Sequence, residues 1–116
     1  MSVKIHKMNI VLADIEGNLI KAWNDITSNS SNVTTYQGSI FEVECDALVS
    51  PANSFGFMDG SLDFAISEFF GWHVQDRLQE AIKSKHSGEL LVGQVEIVPT
   101  DHASIPYVIS APTMRV

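Results

Sequence analysis

Residues that can bind a ligand follow a short apolar run in the middle of the chain. Ala47-Leu48-Val49 precedes Ser50-Pro51, and Asn53 follows two residues later. The residue before a proline is pushed out of the helical region, and proline lacks the N–H that a continuing strand needs. The run is therefore predicted to be a strand with Asn53 at or just past its carboxyl end, where open α/β sheets bind ligands. Asn53 is a candidate ligand contact, and the alternative is that it satisfies the turn backbone.

A helix is predicted to begin shortly after this segment. Apolar residues follow the i, i+3, i+4, i+7, i+8 pattern at Leu62, Ala65, Ile66, Phe69 and Phe70. Asp59, Gly60 and Ser61 then lie at the helix start, where free N–H groups and the helix dipole attract anions. Asp59 is a candidate ligand-site residue, and it is either a helix cap or a carboxylate that repels a phosphate. Asp63 is either a first-turn acid that stabilises the dipole or a catalytic group.

These two segments resemble motifs of the macro domain, the family that binds ADP-ribose. Ser50-Pro51-Ala52-Asn53 stands where the family has Asn-Ala-Ala-Asn, and residues 59–66 stand at its glycine-rich stretch before Ala-Ile. The resemblance implies that Asn53 contacts the distal ribose, and that Gly60, Ser61 and Leu62 wrap the diphosphate. It also places Asp63 on an aspartate proposed to be catalytic in the hydrolytic branch. Asn53 and Asp63 are the implied catalytic pair.

The resemblance extends over roughly residues 33 to 112, with two departures in the ligand site. Gly38-Ser39-Ile40-Phe41 occupies the place of the family's Gly-Asp-Ile-Thr, which implies that Ser39 and Ile40 are ligand contacts. Ser39 replaces the aspartate that accepts the adenine amino proton, so weaker adenine selectivity is expected. Ser61 replaces a glycine, and its Cβ can crowd the pyrophosphate or resist a positive φ. Its hydroxyl can instead donate to a phosphate.

The pattern of elements predicts one domain over residues 1–116, a three-layer α/β/α sandwich with a mixed, largely parallel sheet. Residues 1–32 add an N-terminal strand and helix to the family core. The predicted strands are 9–12, 33–36, 47–49, 92–98 and 107–109, and the other predicted helices cover 14–26 and 72–86. The first of these helices is expected to be capped by Asp14 or Asn18 and to carry Leu19, Trp23 and Ile26 on one side.

The family's second phosphate loop has no counterpart up to residue 116. The chain is therefore expected to carry only part of the ligand cradle, with the C-terminal part of the domain missing. Because an interior strand near the chain end would leave a sheet edge or face uncovered, we expect a homodimer or a second polypeptide that completes the domain.

Composition limits the possible partners and the cellular location. The chain has 14 acidic and 7 basic residues and a net charge of −7, which argues against nucleic-acid binding. No apolar run approaches the roughly 20 residues of a membrane span, and the first residues do not resemble a signal peptide. A single cysteine, Cys45, fits a reducing compartment, so a cytoplasmic protein is expected. The four histidines, His6 among them, lack metal-ligand spacing, and no metal or cofactor is expected.

Three functions remain open from the sequence. The first is a hydrolase that removes ADP-ribose from an acceptor or processes ADP-ribose 1″-phosphate, in which Asn53 orients the ribose and Asp63 acts on water. The second is a non-catalytic module that binds free or protein-linked ADP-ribose. The third is a structural or interaction fragment that has lost the ligand site.

Overall fold

The computed structural model describes residues 8–115, so His6 lies outside the described residues. The elements in chain order are β1 (Ile10–Asp14), α1 (Gly17–Thr27), β2 (Val33–Gln37), a 3-10 helix (Ile40–Glu42), β3 (Ala47–Asn53), α2 (Ser61–Phe70), α3 (His73–His86), β4 (Glu96–Pro99) and β5 (Tyr107–Met114). They form two compact units, Met1–Val43 and Glu44–Val116. Within residues 8–115, no helix has the length and apolar character that a membrane span requires.

The first unit contains a parallel strand pair joined through a helix. β1 and β2 pair in register from Ile10 with Val33 to Asp14 with Gln37, and α1 connects them. The predicted strands at 9–12 and 33–36 are confirmed to within two residues. A parallel pair requires a crossover connection, and α1 supplies it.

The start and the packing of α1 differ from the sequence prediction. Glu16 is the residue that caps the helix, because its Oε1 accepts a hydrogen bond from the N–H of Asn18 at 3.2 Å. The carboxylate of Asp14 instead accepts from the N–H of Glu16 at 2.8 Å, one step before the helix. Ile20 is the buried residue of α1, whereas Leu19 and Ile26 are exposed. The predicted cap at Asp14 or Asn18 was therefore wrong, and of the three apolar residues predicted on one side of the helix, Trp23 is the one that is half-buried.

The second unit contains a mixed three-stranded sheet with β5 in the centre. β3 pairs with β5 in parallel and β4 pairs with β5 antiparallel, in the order β3-β5-β4. This confirms a mixed α/β fold with largely parallel strands. Side chains alternate between a buried and a more exposed face along all three strands. The largest buried apolar side chains of this unit are Met58, Ile66, Val74, Leu78, Ile82, Leu90, Ile105 and Val108.

Two of the strands run through prolines and are longer than the sequence indicated. β3 continues through Pro51 to Asn53, and β5 continues through Pro112 to Met114. β3 lies at the edge of the sheet, where one side needs no ladder hydrogen bonds. β5 pairs with β4 only up to Ser110, so Pro112 also has a neighbouring strand on one side only. Asn53 lies at the carboxyl end of β3, as predicted.

The predicted strand at 92–98 is reduced to a short one. Gly93 has a φ of 99°, and the N–H of Gln94 donates to the carbonyl of Leu91 at 2.9 Å, which makes a turn of the first half. Only Glu96–Pro99 pairs with β5. In contrast, α3 begins one residue after the predicted start, ends at the predicted residue His86, and buries Val74, Leu78 and Ile82. These elements place the end of β3 beside the start of α2.

Candidate functional site

Asn53 organises the turn that follows β3. Its Oδ1 accepts hydrogen bonds from the N–H groups of Phe55 at 3.0 Å and Phe57 at 3.3 Å. Its Nδ2 donates to the carbonyl of Phe57 at 2.8 Å. A carboxamide oxygen has two lone pairs and the nitrogen has two N–H groups, so the oxygen is saturated and one N–H remains. The turn-supporting role of Asn53 is therefore present, and its remaining capacity toward a ligand is a single donor.

Two further hydrogen bonds and the close approach of α3 to Gly56 hold the same turn. The N–H of Met58 donates to Gln75 Oε1 at 2.7 Å, and the hydroxyl of Ser67 donates to the carbonyl of Met58 at 2.8 Å. Gly56 has a φ of +74°, and a Cβ on it would lie 3.0 Å from Ile82 Cδ1. Glycine is required here both by the backbone conformation and by the close approach of α3. The turn is thus fixed before any ligand arrives.

The start of α2 has unused hydrogen-bond donors. Gly60 is the N-cap residue and provides no side-chain cap, so Asp59 is not the cap that was considered. The N–H groups of Ser61, Leu62 and Asp63 have no acceptor within residues 8–115, and the first helical bond runs from Phe64 to the carbonyl of Gly60 at 3.2 Å. Free N–H groups at the positive end of a helix form an anion-binding site.

Gly60 is not required by the fold. Its φ of −137° is available to any residue, and a Cβ on it would have no heavy atom within 4 Å. Ser61 differs, because it has a φ of 51°, in the left-handed region that costs an L-residue about 1–2 kcal/mol. One expectation from the sequence was that a side chain at this position resists a positive φ. The structure has Ser61 in that conformation.

Asp63 points into the protein. α2 buries Asp63, Ile66 and Ser67, so its inward face is rotated from the predicted apolar face. Asp63 is 6% exposed, and the hydroxyl of Ser50 donates to its Oδ1 at 2.5 Å. Burial raises the pKa of the Asp63 carboxyl, the hydrogen bond from Ser50 opposes this, and the nearby charge of Asp59 raises the pKa further. Asp63 Oδ2 has no hydrogen bond within residues 8–115.

Ser39 and Ile40 lie in the first unit, and the other predicted site residues lie in the second. The Oγ of Ser39 accepts a hydrogen bond from the N–H of Phe41 at 3.3 Å and caps the 3-10 helix that begins at Ile40. Asn53, Asp59, Gly60, Ser61, Leu62 and Asp63 all belong to one connection, from the end of β3 to the first turn of α2.

The turn also exposes aromatic surface. Phe57 is 54% exposed and Phe55 is half-buried, so neither belongs to the core. The two phenylalanines line a surface hollow of about 340 Å³. The other lining residues belong to α3 and the segment after it, and they are Gln79, Ile82, Lys83 and Gly88.

A second polar cluster, at β4 and the end of α3, was not predicted from the sequence. Glu96 is nearly buried on β4, and its carboxylate lies 2.9 Å from His86 Nε2 and 3.1 Å from Lys85 Nζ. Burial alone would raise the pKa of Glu96, but hydrogen bonds and charge from His86 and Lys85 bring it below its ordinary value. The signal in the sequence is the basic last turn of α3, which contains Lys83, Lys85 and His86. In the described part of the chain, no three His, Cys, Asp or Glu side chains form a potential metal site.

The structure is thus an α/β protein with an asparagine at a strand end and free N–H groups at the start of the next helix. A family model described as Macro domain matches residues 49–116, more than half of the chain. The chain belongs to the macro domain family, whose members generally bind ADP-ribose.

Solved structures support the fold. The macrodomain of Mycobacterium tuberculosis DarG is similar with a TM-score of 0.61 and 21% identity, over 72% of this chain and 53% of that chain. Two structures of the Oceanobacillus iheyensis macrodomain, a mutant and one with MES bound, each have a TM-score of 0.59 and 24% identity. Each of these matches covers 65% of this chain and 40% of the other.

Two curated relatives are more similar in sequence. An uncharacterised protein of Sulfolobus acidocaldarius is 32% identical over 84 residues, which is 72% of this chain and 45% of the relative. An uncharacterised protein of Aquifex aeolicus is 31% identical over 84 residues, 72% of this chain and 47% of the relative. The chain spans about half the length of the curated relatives it matches.

Proposed function

We propose that this chain binds ADP-ribose between Asn53 and the first turn of α2. The observation that carries the proposal is the row of unbonded N–H groups on Ser61, Leu62 and Asp63, in a family that generally binds this ligand. These groups suit the diphosphate, and the remaining N–H of Asn53 suits an oxygen of the distal ribose. The open space over Gly60 allows the diphosphate to approach the backbone.

Two substitutions test the diphosphate position in opposite directions. Gly60→Ala adds a methyl group where the protein has no atom, so we expect unchanged folding but weaker ADP-ribose binding. Asp59→Asn removes an exposed negative charge beside the proposed diphosphate, so we expect tighter binding. Calorimetric titration with ADP-ribose measures both. Absence of binding to the native chain at millimolar ADP-ribose would refute the function, and equal affinities in all three would refute the position.

On the family resemblance alone, we propose that Ser39 and Ile40 contact the adenine end of the ligand. Because the Ser39 side chain has no carboxylate, we expect poorer discrimination of ADP-ribose from ribosylated diphosphates of other bases than an aspartate would give. Ser39→Asp is expected to restore adenine preference in competition titrations. Strict adenine preference of the native chain would show that another residue provides the acceptor.

Hydrolysis of an ADP-ribosyl bond, or processing of ADP-ribose 1″-phosphate, is a second candidate function. It is favoured by Asp63, because one carboxylate oxygen is fixed by Ser50, the other has no hydrogen bond within residues 8–115, and its pKa is raised. An oriented carboxylate of raised pKa suits a general base. Asp63→Asn would then abolish turnover and keep ADP-ribose affinity. Binding without turnover in the native chain would favour the non-catalytic module.

We also propose that the more exposed face of the three-stranded sheet is covered by a second chain, either a copy of this one or another polypeptide. Val49, Ile97 and Tyr107 are exposed on this face. Exposed contiguous apolar surface promotes association. Light scattering at tens of micromolar is expected to give a mass above that of one chain, and Ile97→Lys should lower it. A monodisperse monomer would refute this proposal.

We propose a cytoplasmic location for the protein, because Cys45 is a free thiol and a reducing compartment keeps thiols free.

A further inference from the structure

A row of polar side chains crosses the buried face of the three-stranded sheet. Ser50 of β3 pairs in register with Ser110 of β5, which pairs in turn with Glu96 of β4. Side chains at paired positions lie on the same face of a sheet. Ser50 is 0% and Ser110 1% exposed, so two hydroxyl groups occupy equivalent buried positions on neighbouring strands.

These two buried hydroxyl groups differ in what they bind. Ser50 donates to Asp63 Oδ1 at 2.5 Å, whereas Ser110 Oγ has no hydrogen-bond partner within residues 8–115. A hydrogen bond to a buried carboxylate is stronger than one between neutral groups. The hydrogen bond between Ser50 and Asp63 joins two elements that backbone hydrogen bonds do not connect, namely β3, which ends at Asn53, and the first turn of α2.

We propose that Ser50 is a positioning residue, which holds the first turn of α2 at a fixed distance from Asn53 through its hydrogen bond to Asp63. The inference rests on the proposed ADP-ribose site. Ser50 is three residues before Asn53 on the same strand, and Asp63 is within the turn that presents the free N–H groups of Ser61 and Leu62. Ribose and diphosphate contacts must be correctly spaced to bind one ligand together.

The conformation of Ser61 gives an independent reason for such an anchor. Its φ of 51° is unfavourable for a residue with a Cβ, and such a conformation persists where the surrounding structure enforces it. Gly60 provides no side-chain cap, so the first turn is not stabilised from its own N-terminus. Asp63, two residues later, is the first residue of α2 with a buried side chain and a hydrogen bond to the sheet.

The test compares matched substitutions at the two serines. Ser50→Ala and the near-isosteric Ser50→Cys are expected to weaken ADP-ribose binding about tenfold or more, as for loss of a hydrogen bond to a charged group. Ser110→Ala and Ser110→Cys remove a hydroxyl of equal burial without a bond and should stay within about twofold. Equal losses at both positions would show that general packing, and not positioning, is responsible.

Rescue by a conservative change separates positioning from structural support. Asp63→Asn keeps an oxygen that accepts from Ser50, and its affinity should stay within about threefold of the native chain. Asp63→Ala should lose as much affinity as Ser50→Ala, and the double variant should lose no more than either. Additive losses in the double variant would overturn the proposal.

A second measurement does not depend on the ligand. Amide exchange of Phe64, whose N–H closes the first turn on Gly60, should accelerate about tenfold in Ser50→Cys and stay unchanged in Ser110→Cys. If the native chain fails to bind ADP-ribose, the proposed function fails, while this exchange rate still decides whether Ser50 fixes the turn. Unchanged exchange in Ser50→Cys would refute the positioning role.

Discussion

Asn53→Asp is expected to separate the two roles of Asn53, support of the turn and contact with the ribose. An aspartate keeps the two accepted bonds from Phe55 and Phe57 and loses the donated bond to the carbonyl of Phe57. It also loses the remaining N–H, the one donor that we assign to the ribose. The variant should therefore fold almost normally and bind ADP-ribose poorly.

The magnitudes follow from the three hydrogen bonds. Asn53→Ala removes all three hydrogen bonds, and each contributes about 0.5–1.5 kcal/mol. Because Phe57 is exposed to water, the loss in free energy of unfolding should be near the lower end of the summed range, about 1.5–2.5 kcal/mol. Asn53→Asp should cost about 1 kcal/mol or less, because two bonds remain. In binding, loss of one neutral hydrogen bond predicts a 2- to 12-fold (roughly) higher Kd for either variant. Repulsion between a carboxylate and the diphosphate should weaken Asn53→Asp further.

Chemical denaturation and calorimetry on the same three proteins give the two free energies. The prediction requires that stability and affinity change in different order: Asn53→Ala is less stable than Asn53→Asp, and Asn53→Asp binds more weakly. If Asn53→Asp binds ADP-ribose as tightly as the native chain, the ribose contact is assigned to the wrong residue. If both variants lose affinity in proportion to stability, Asn53 acts only through the turn.

Three further predictions concern stability. Gly56→Ala should lower the free energy of unfolding by about 2–4 kcal/mol, because the φ of Gly56 is +74° and the new Cβ would lie 3.0 Å from Ile82 Cδ1. A loss smaller than about 1 kcal/mol would mean that the turn relaxes around the new methyl group. Ser61→Gly should raise it by up to about 1 kcal/mol by relieving the positive φ, checked by urea denaturation. The pKa of Glu96 in the folded protein is below its ordinary value of 4.5, so ionised Glu96 stabilises the fold fully above pH 4.5, and this stabilisation is lost as the pH falls through the folded pKa. Glu96→Gln should therefore flatten the dependence of the free energy of unfolding on pH in an acid titration. An unchanged pH profile would exclude Glu96 as the source of the dependence.

The sequence predicted the position of Asn53 better than the orientation of α2. Asn53 follows from local rules, since the residue before a proline is extended and a short apolar run before it indicates a strand. The inward face of α2 depends on partners far along the chain: Asp63 turns toward Ser50, and Ser67 turns toward the carbonyl of Met58. Two buried hydrogen bonds rotate the helix away from its most apolar face, and hydrophobic periodicity does not contain that information.

The start of α1 and the length of β4 are errors of a different kind. Glutamate is not among the favoured cap residues, so Glu16 was not considered, although its side chain can reach the N–H of Asn18. The strand at 92–98 satisfied an apolar pattern, but Gly93 adopts a positive φ that interrupts it. The spacing of the family motifs was reliable because several elements had to agree in order.

The position of β5 in the centre of its sheet determines when the second unit can be completed during synthesis. Among the described residues, 8–115, β3 and β4 are not neighbours, and each pairs only with β5, which begins at Tyr107. Ala47 pairs with Tyr107, so the hydrogen bonds between β3 and β5 can form only after residue 107 has been synthesised. Such long loop closure slows folding, and until it occurs the apolar strand 47–49 remains available to chaperones or to the same segment of another nascent chain.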